Sequence, residues 1–314
     1  STAMSNRRVL VLVVGCLALF VPSGAANALD MEWVTVGDPG NKPDKTGYGA
    51  VKYVFQISKH EITVAQYAEF LNAVAGKSDP HSVWDAGQKI ERQGMPGGFK
   101  YASVATHERE PVMQVRFLDA MRFANWLNDG GGTGSTETGA YLLSNNGGLA
   151  NREAAATVWI PNENEWYKAA YHQPQAVGGP PGNYWRYPTR SVVAPRLAKP
   201  ADPSPGFANF LADTTPQPNG GVLRGFNDVM PVGSFPGSAS HYGTLDQAGN
   251  AWEWIETTVF ETQRVARGGS MCGSHEKLLS TVRISGSPAK RYPDTGFRLA
   301  RAVPHAEPSI PKQP

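Results

Sequence analysis

Three soft or borderline donors crowd one short stretch, where Ser270 is followed by Met271-Cys-Gly-Ser-His275. A Cys-x-x-His spacing with a neighbouring thioether can make a mixed sulfur and imidazole metal site, or a Cys272 thiol activated by His275. The plain alternative is a partly buried small residue beside a loop histidine. Ser270 has no Gly-x-Ser-x-Gly elbow and no evident His and Asp pair, so serine hydrolysis is not indicated. No phosphate loop or dinucleotide fingerprint occurs anywhere in the chain.

Upstream, Tyr242-Gly-Thr-Leu-Asp-Gln-Ala-Gly-Asn-Ala-Trp-Glu-Trp254 combines turn-forming glycines with large aromatics. Glu253 lies between Trp252 and Trp254, and a carboxylate there needs a cation, a metal or several donors. It reads either as a metal ligand or as a hydrogen-bonded structural acid. Arg267, Arg283 and Arg298 recur near the apolar strands of the last third and are expected to pair with buried acids such as Glu253 or Asp246; the competing role is to hold an anionic ligand. A pocket walled by Trp252, Trp254, Ser270, Met271 and Arg283 is the expectation that follows.

The elements that would position these residues are short. Glu32 to Val36 and Val51 to Ile57 read as strands. Thr63-Val-Ala-Gln66 is a capping box, and Val64, Tyr67, Leu71 and Val74 share one helical face that stops at Gly76. Residues 77 to 110 are polar and Gly-rich and predict a long excursion without regular structure. Pro111 to Val115 predicts a short strand, followed by a helix striped by Phe117, Met121, Ala124 and Leu127. Asn162 and Glu165 form the capping box of a third helix, in which Trp166, Ala169 and Ala170 face inward. Pro174 to Gly206 is too aromatic for a disordered linker and reads as an ordered meander.

Ser1 to Ala3 precede the first Met and read as a vector-derived remnant. Residues 4 to 28 have the form of a secretory signal: Arg7 and Arg8, an apolar run from Val9 to Val21, and Ala26-Asn-Ala28 for cleavage. That run is too short to span a bilayer comfortably, so export to a periplasmic or extracellular location is expected, with no membrane span after cleavage. A lipoprotein reading at Cys16 is weaker, because the apolar run continues beyond it. Loss of Arg7 and Arg8 leaves 27 of the 29 cationic residues against 27 acids, so neither nucleic acid nor an anionic membrane surface is indicated as partner. Loss of Cys16 leaves Cys272 as the one thiol of the exported chain and rules out an intrachain disulfide. Residues 29 to 302 form the expected single domain, and 303 to 314 a Pro-rich tail.

Six stretches in order resemble the formylglycine-generating enzyme family, or sulfatase-modifying factors. They are Lys59 to Leu71, Pro111 to Val115 with its helix, Trp159 to Ala170, Tyr242 to Trp254, Arg264-Val-Ala-Arg-Gly-Gly-Ser270 and Thr295-Gly-Phe-Arg-Leu-Ala300. The resemblance implies an α+β fold, an elaborated C-type-lectin-like domain with short strands, about three helices and much irregular loop. It also implies calcium, held by carbonyls at Gly249 and Ala251 and by the Glu253 carboxylate, with Asn250 adjacent. A second family calcium site would use Asn209 and Phe210, but alignment on Phe226 puts Arg224 where the acid belongs, leaving Asp213 or Asp228 as substitutes. The family's enzymes oxidise a substrate cysteine with dioxygen through copper held by two thiolates, and this is where the chain departs. Cys272 stands for the first thiol with a shift of one position, and nothing stands for the second.

Two functions follow. One is an exported binding or scaffold protein for an unknown ligand, peptide or protein, without the copper dithiol. The other is a metal-dependent oxidase of the same superfamily acting through Cys272 and His275, with copper, on a thiol peptide or other small substrate. Formylglycine generation itself would need a second thiol from elsewhere.

Overall fold

The computed structural model describes residues 29–144, 147–197, 201, 203–211 and 228–304. Residues 1 to 28, which include the stretch read above as a signal and Cys16, together with Asp213, Arg224, Phe226 and the tail from 305 onward, lie outside the described residues. Three helices occur among the described residues, and each begins at a recognisable sequence signal or buried stripe. Helix α1, Val64–Val74, has Thr63 as N-cap: its hydroxyl accepts the Gln66 N–H, and the Gln66 side chain accepts the Thr63 N–H. Helix α2, Phe117–Asn128, buries Phe117, Met121 and Ala124 as expected, with Leu127 only partly covered. Helix α3, Glu163–Tyr171, carries the Asn162 and Glu165 box and buries Trp166, Ala169 and Ala170.

The strands are short. One sheet has the order β1 (Trp33–Val36), β2 (Phe55–Ser58), β10 (Ala300–Ala302) and β5 (Val158–Trp159), with all pairs antiparallel. A second has the order β8 (Ile284–Gly286), β7 (Gln263–Arg267), β6 (Trp252–Val259) and β9 (Thr295–Phe297), in which β6 and β9 run parallel. The stretch from 77 to 110 is not irregular throughout. It contains a hairpin of β3 (Ile90–Gln93) and β4 (Lys100–Ser103), whose first strand exposes three of its four side chains and so lacks an apolar alternation to read. Pro111 to Val115 is not a strand either; only Pro111 forms an isolated bridge, to Thr63.

The main core joins α1, α2 and β9. Tyr67 stacks on Phe123 with ring centres 5.9 Å apart, and Phe123 meets Phe70 at 5.3 Å and Phe297 at 5.4 Å. These rings are fully buried, and each contributes on the order of 2 kcal/mol by leaving water. The result holds the end of β9, and therefore Arg298, in a fixed place. This mixed architecture is the α+β fold anticipated from the sequence. No helix among the described residues is long and apolar enough to cross a membrane.

Candidate functional site

Glu253 sits at the second position of β6, opposite Arg267 in the antiparallel ladder and Gly296 in the parallel one, and is fully buried. Arg298, just past β9, grips it with two hydrogen bonds: Nε donates to Oε2 at 2.6 Å and Nη2 to Oε1 at 2.7 Å. The Trp166 indole N–H also donates to Oε2, at 2.6 Å. Both carboxylate oxygens are thus committed, and the charge is neutralised by a guanidinium. A calcium ion on Glu253 would have to displace that cation or sit beside it, so the site expected from Gly249, Ala251 and Glu253 does not fit this arrangement. The structural-acid reading is what the geometry supports. Gly249 has its own reason to be glycine, because at φ +85° a Cβ there would stand 2.1 Å from the Asn209 carbonyl oxygen.

Arg298 has no donor left over. Its remaining N–H groups reach the carbonyls of Ser58 (3.0 Å), Lys59 (3.1 Å) and Leu245 (2.8 Å). Two further acids nevertheless press toward it. Glu61 is buried, with Oε2 3.9 Å from Arg298 and no hydrogen-bond partner on that oxygen, while Oε1 lies 3.4 Å from the Asn250 amide nitrogen. Burial, then the charges of Asp246 and Glu253, push the Glu61 carboxyl well above the usual carboxylate range. Asp246 accepts the Gly233 N–H at 2.6 Å, and burial raises its pKa to about 6. His60, next in sequence to Glu61, is held down to about 4 by burial and by the Arg298 charge, so it is neutral at pH 7. Glu61 and His60 line a surface cleft of about 320 Å³. Sequence reasoning found no site at His60 and Glu61, because the groups that make Glu61 unusual lie far along the chain; Asn250 is 189 residues away.

The other two arginines converge on Glu163 at the start of α3. Arg267 Nε donates to Oε1 at 2.8 Å and Arg283 Nη1 to Oε2 at 2.8 Å. Arg267 also lies over the rings of Tyr48 and Tyr167, and Arg283 over Tyr48. Arginine pairing with buried acid is therefore the rule for all three, although for two of them the acid is Glu163 and not Glu253 or Asp246.

Beyond β7, Gly268 and Gly269 take positive φ and turn the chain into the Cys272 loop. Ser270 is buried and donates to Asp294 Oδ2 at 2.7 Å, while its hydroxyl accepts the Cys272 N–H at 3.3 Å. Cys272 is exposed, and partial burial and the Asp294 charge both raise its thiol pKa. Met271 points the other way, into an apolar cluster with Met113, Val229 and Ala251. His275 begins a short 3-10 turn, and its ring packs against Phe210 with centres 6.3 Å apart. No group of three or more His, Cys, Asp or Glu side chains with metal-binding geometry occurs among the described residues.

The expected aromatic wall is core. Trp252 and Trp254 are buried, and Trp254 donates to the Val115 carbonyl at 2.9 Å and packs edge-on against Phe117 and Tyr292. Arg283 is the exception among the five expected pocket residues, being about one-third exposed at 37%. Asn209 and Phe210 are both buried. The Asn209 amide nitrogen donates to the Asp228 carbonyl (3.1 Å) and to Asn250 Oδ1 (3.0 Å), whereas its own Oδ1 is buried without a partner. An orphan amide oxygen next to Asp228 is compatible with a hard cation.

The model of the sulfatase-modifying factor enzyme 1-like domain matches residues 37–303. A formylglycine-generating enzyme of Mycobacterium tuberculosis is 24% identical over 237 residues, covering 73% of this chain and 72% of that one. A hercynine oxygenase of Mycolicibacterium smegmatis is 26% identical over 281 residues, covering 78% of this chain but only 52% of that one. Among solved structures, the crystal structure of CarF covers 88% of this chain and 100% of its own at 20% identity, with a TM-score of 0.55, a likeness of fold.

Proposed function

Because the chain belongs to the family of sulfatase-modifying factor enzyme 1-like domains, we propose that it is an exported binding or scaffold member that works without the family's copper dithiol. The observation that carries this is the setting of Cys272. It is the one cysteine outside the signal segment, its neighbour Met271 turns its thioether into the core, and partial burial together with the Asp294 charge opposes thiolate formation. Copper(I) needs two soft ligands in reach, and here there is one thiol of raised pKa. Calcium remains part of the proposal at the other expected position, where Asn209 Oδ1 and the Phe210 carbonyl would hold it with Asp228 alongside. Bound there, the ion would supply positive charge that braces the loops around Asn250.

The second reading is an oxidase that works through Cys272 and His275. The similarity to the two mycobacterial proteins, one called a formylglycine-generating enzyme and the other a hercynine oxygenase, favours it. One experiment separates the two: elemental analysis of the purified mature protein together with oxygen-electrode assays on thiol peptides. Calcium without copper or iron, no oxygen uptake, and a Cys272→Ser variant that behaves like the parent are the expected results. Copper or iron near one equivalent, lost in Cys272→Ser, would replace the binding reading with the oxidase one.

A further inference from the structure

A second cleft, of about 390 Å³, lies where the segments 44–45, 180–186 and 279–281 meet, and Val192 joins its lining. Neither Cys272 nor His275 lines it. Three residues set its charge. Asp44 is already committed: one carboxylate oxygen accepts the N–H and hydroxyl of Thr46, and the other accepts the Tyr167 hydroxyl. Lys45 and Arg186 are both exposed, and neither has an ion-pair or side-chain hydrogen-bond partner among the described residues. The Arg186 guanidinium lies only loosely over the Tyr187 ring, 5.9 Å from its centre. Two unpaired cations therefore stand against one carboxylate whose oxygens are in use.

The apolar part of the lining is held in place from behind. Trp185 is only partly buried and belongs to none of the apolar clusters of the core. Its indole N–H donates to Gln173 Oε1 at 2.9 Å and its backbone N–H to the Tyr171 carbonyl at 2.9 Å, which anchors the ring by its polar edge. Tyr184 is fixed in the same way: its hydroxyl donates to the Lys42 carbonyl at 2.8 Å and accepts the Asn41 amide at 2.7 Å. Val192, 58% exposed, and Leu279 extend the apolar surface. A large anchored indole left partly in water is ready-made contact area at low entropic cost, and the cations beside it fix the sign of what would cover it. The planar fork of arginine matches a carboxylate, and the cleft volume falls in the range of small-molecule sites.

We propose that this cleft binds a small aromatic carboxylate, with its ring on Trp185 and its anionic end on Arg186 and Lys45. The proposal goes beyond the reading above, since it needs neither Cys272 nor a bound metal.

Isothermal titration of the purified chain with 2-naphthoate tests it, with 2-naphthalenemethanol as the uncharged analogue and acetate as the ringless one. Saturable binding of naphthoate to the parent is expected, with both analogues about tenfold or more weaker. The double variant Lys45→Ser, Arg186→Ser should weaken naphthoate about tenfold through loss of the charge-assisted contacts, and Trp185→Ala by a similar factor through loss of stacking. Lys100→Ser, which removes an exposed cation from β4, should bind like the parent. No saturable binding to the parent overturns the proposal, as does undiminished binding to the double variant or equal binding of the alcohol. An equal loss in Lys100→Ser would also overturn it, in favour of attraction to net charge alone. Thermal melts confirm that each variant is folded at the titration temperature; if Trp185→Ala is not, the double variant at two exposed positions carries the test with the two analogues.

Discussion

Two buried arginine and carboxylate knots hold the second half of the chain, and they are balanced in opposite ways. At Glu163, one carboxylate serves two arginines, Arg267 and Arg283, and both its oxygens are bonded. At Arg298, one guanidinium faces three acids, Glu253, Glu61 and Asp246, and can bond only the first. A surplus of arginine is cheap at the surface, because Arg283 keeps contact with water and lies over Tyr48. A surplus of buried acid is not, so Glu61 and Asp246 respond with raised pKa values. The first knot is structural and closed. The second is structural at Glu253, and at Glu61 it leaves a buried oxygen without a hydrogen-bond partner.

The strongest way to break this comparison is Arg298→Met. It leaves three acids around an uncompensated site, and a loss of about 3–5 kcal/mol in denaturant unfolding is expected. Glu163→Gln should cost less, about 2 kcal/mol, since the amide oxygen can still accept one bond and Arg283 can turn to solvent. Asp246→Asn sharpens the contrast through pH. Burial raises the folded pKa of the parent's Asp246 from its ordinary value of 3.8 to about 6, so its contribution to stability is present below the unfolded value and is lost as pH rises through about 6. The Asn variant lacks this loss. Its stability relative to the parent should therefore climb between about pH 4 and 6, by about 2 kcal/mol, in melts taken across that range. The smallest effect belongs to neither knot: Cys272→Ser, at an exposed position, should stay within about 0.5 kcal/mol of the parent.

How much of this was readable in the chain depends on distance along it. The helix starts at Thr63 and Asn162 were legible because a cap and its partner three residues on form a local pattern with one physical meaning. The β3 to β4 hairpin was not, since Glu91, Arg92 and Gln93 are all exposed and give no alternation. At the site, the sequence showed that Glu253 needed a partner and that Arg298 was a candidate for one. It could not rank Arg298 above a metal, because that choice rests on β9 running parallel to β6 and delivering the guanidinium alongside. Glu61 was passed over for the same reason in stronger form, as nothing in its own neighbourhood announces three acids and one cation.

Asn250 makes a different point about time. With φ at +63°, it bonds Glu61 across 189 residues, Asn209 across 41 and Met230 across 20. Contacts that close such large loops carry the entropy of closure before they return any energy, so they belong late on the folding route. Interactions made after the barrier slow unfolding without hastening folding. That places one amide side chain in control of lifetime: its removal would be felt as a raised unfolding limb and faster degradation by proteases, while the rate of reaching the native state stays nearly the same.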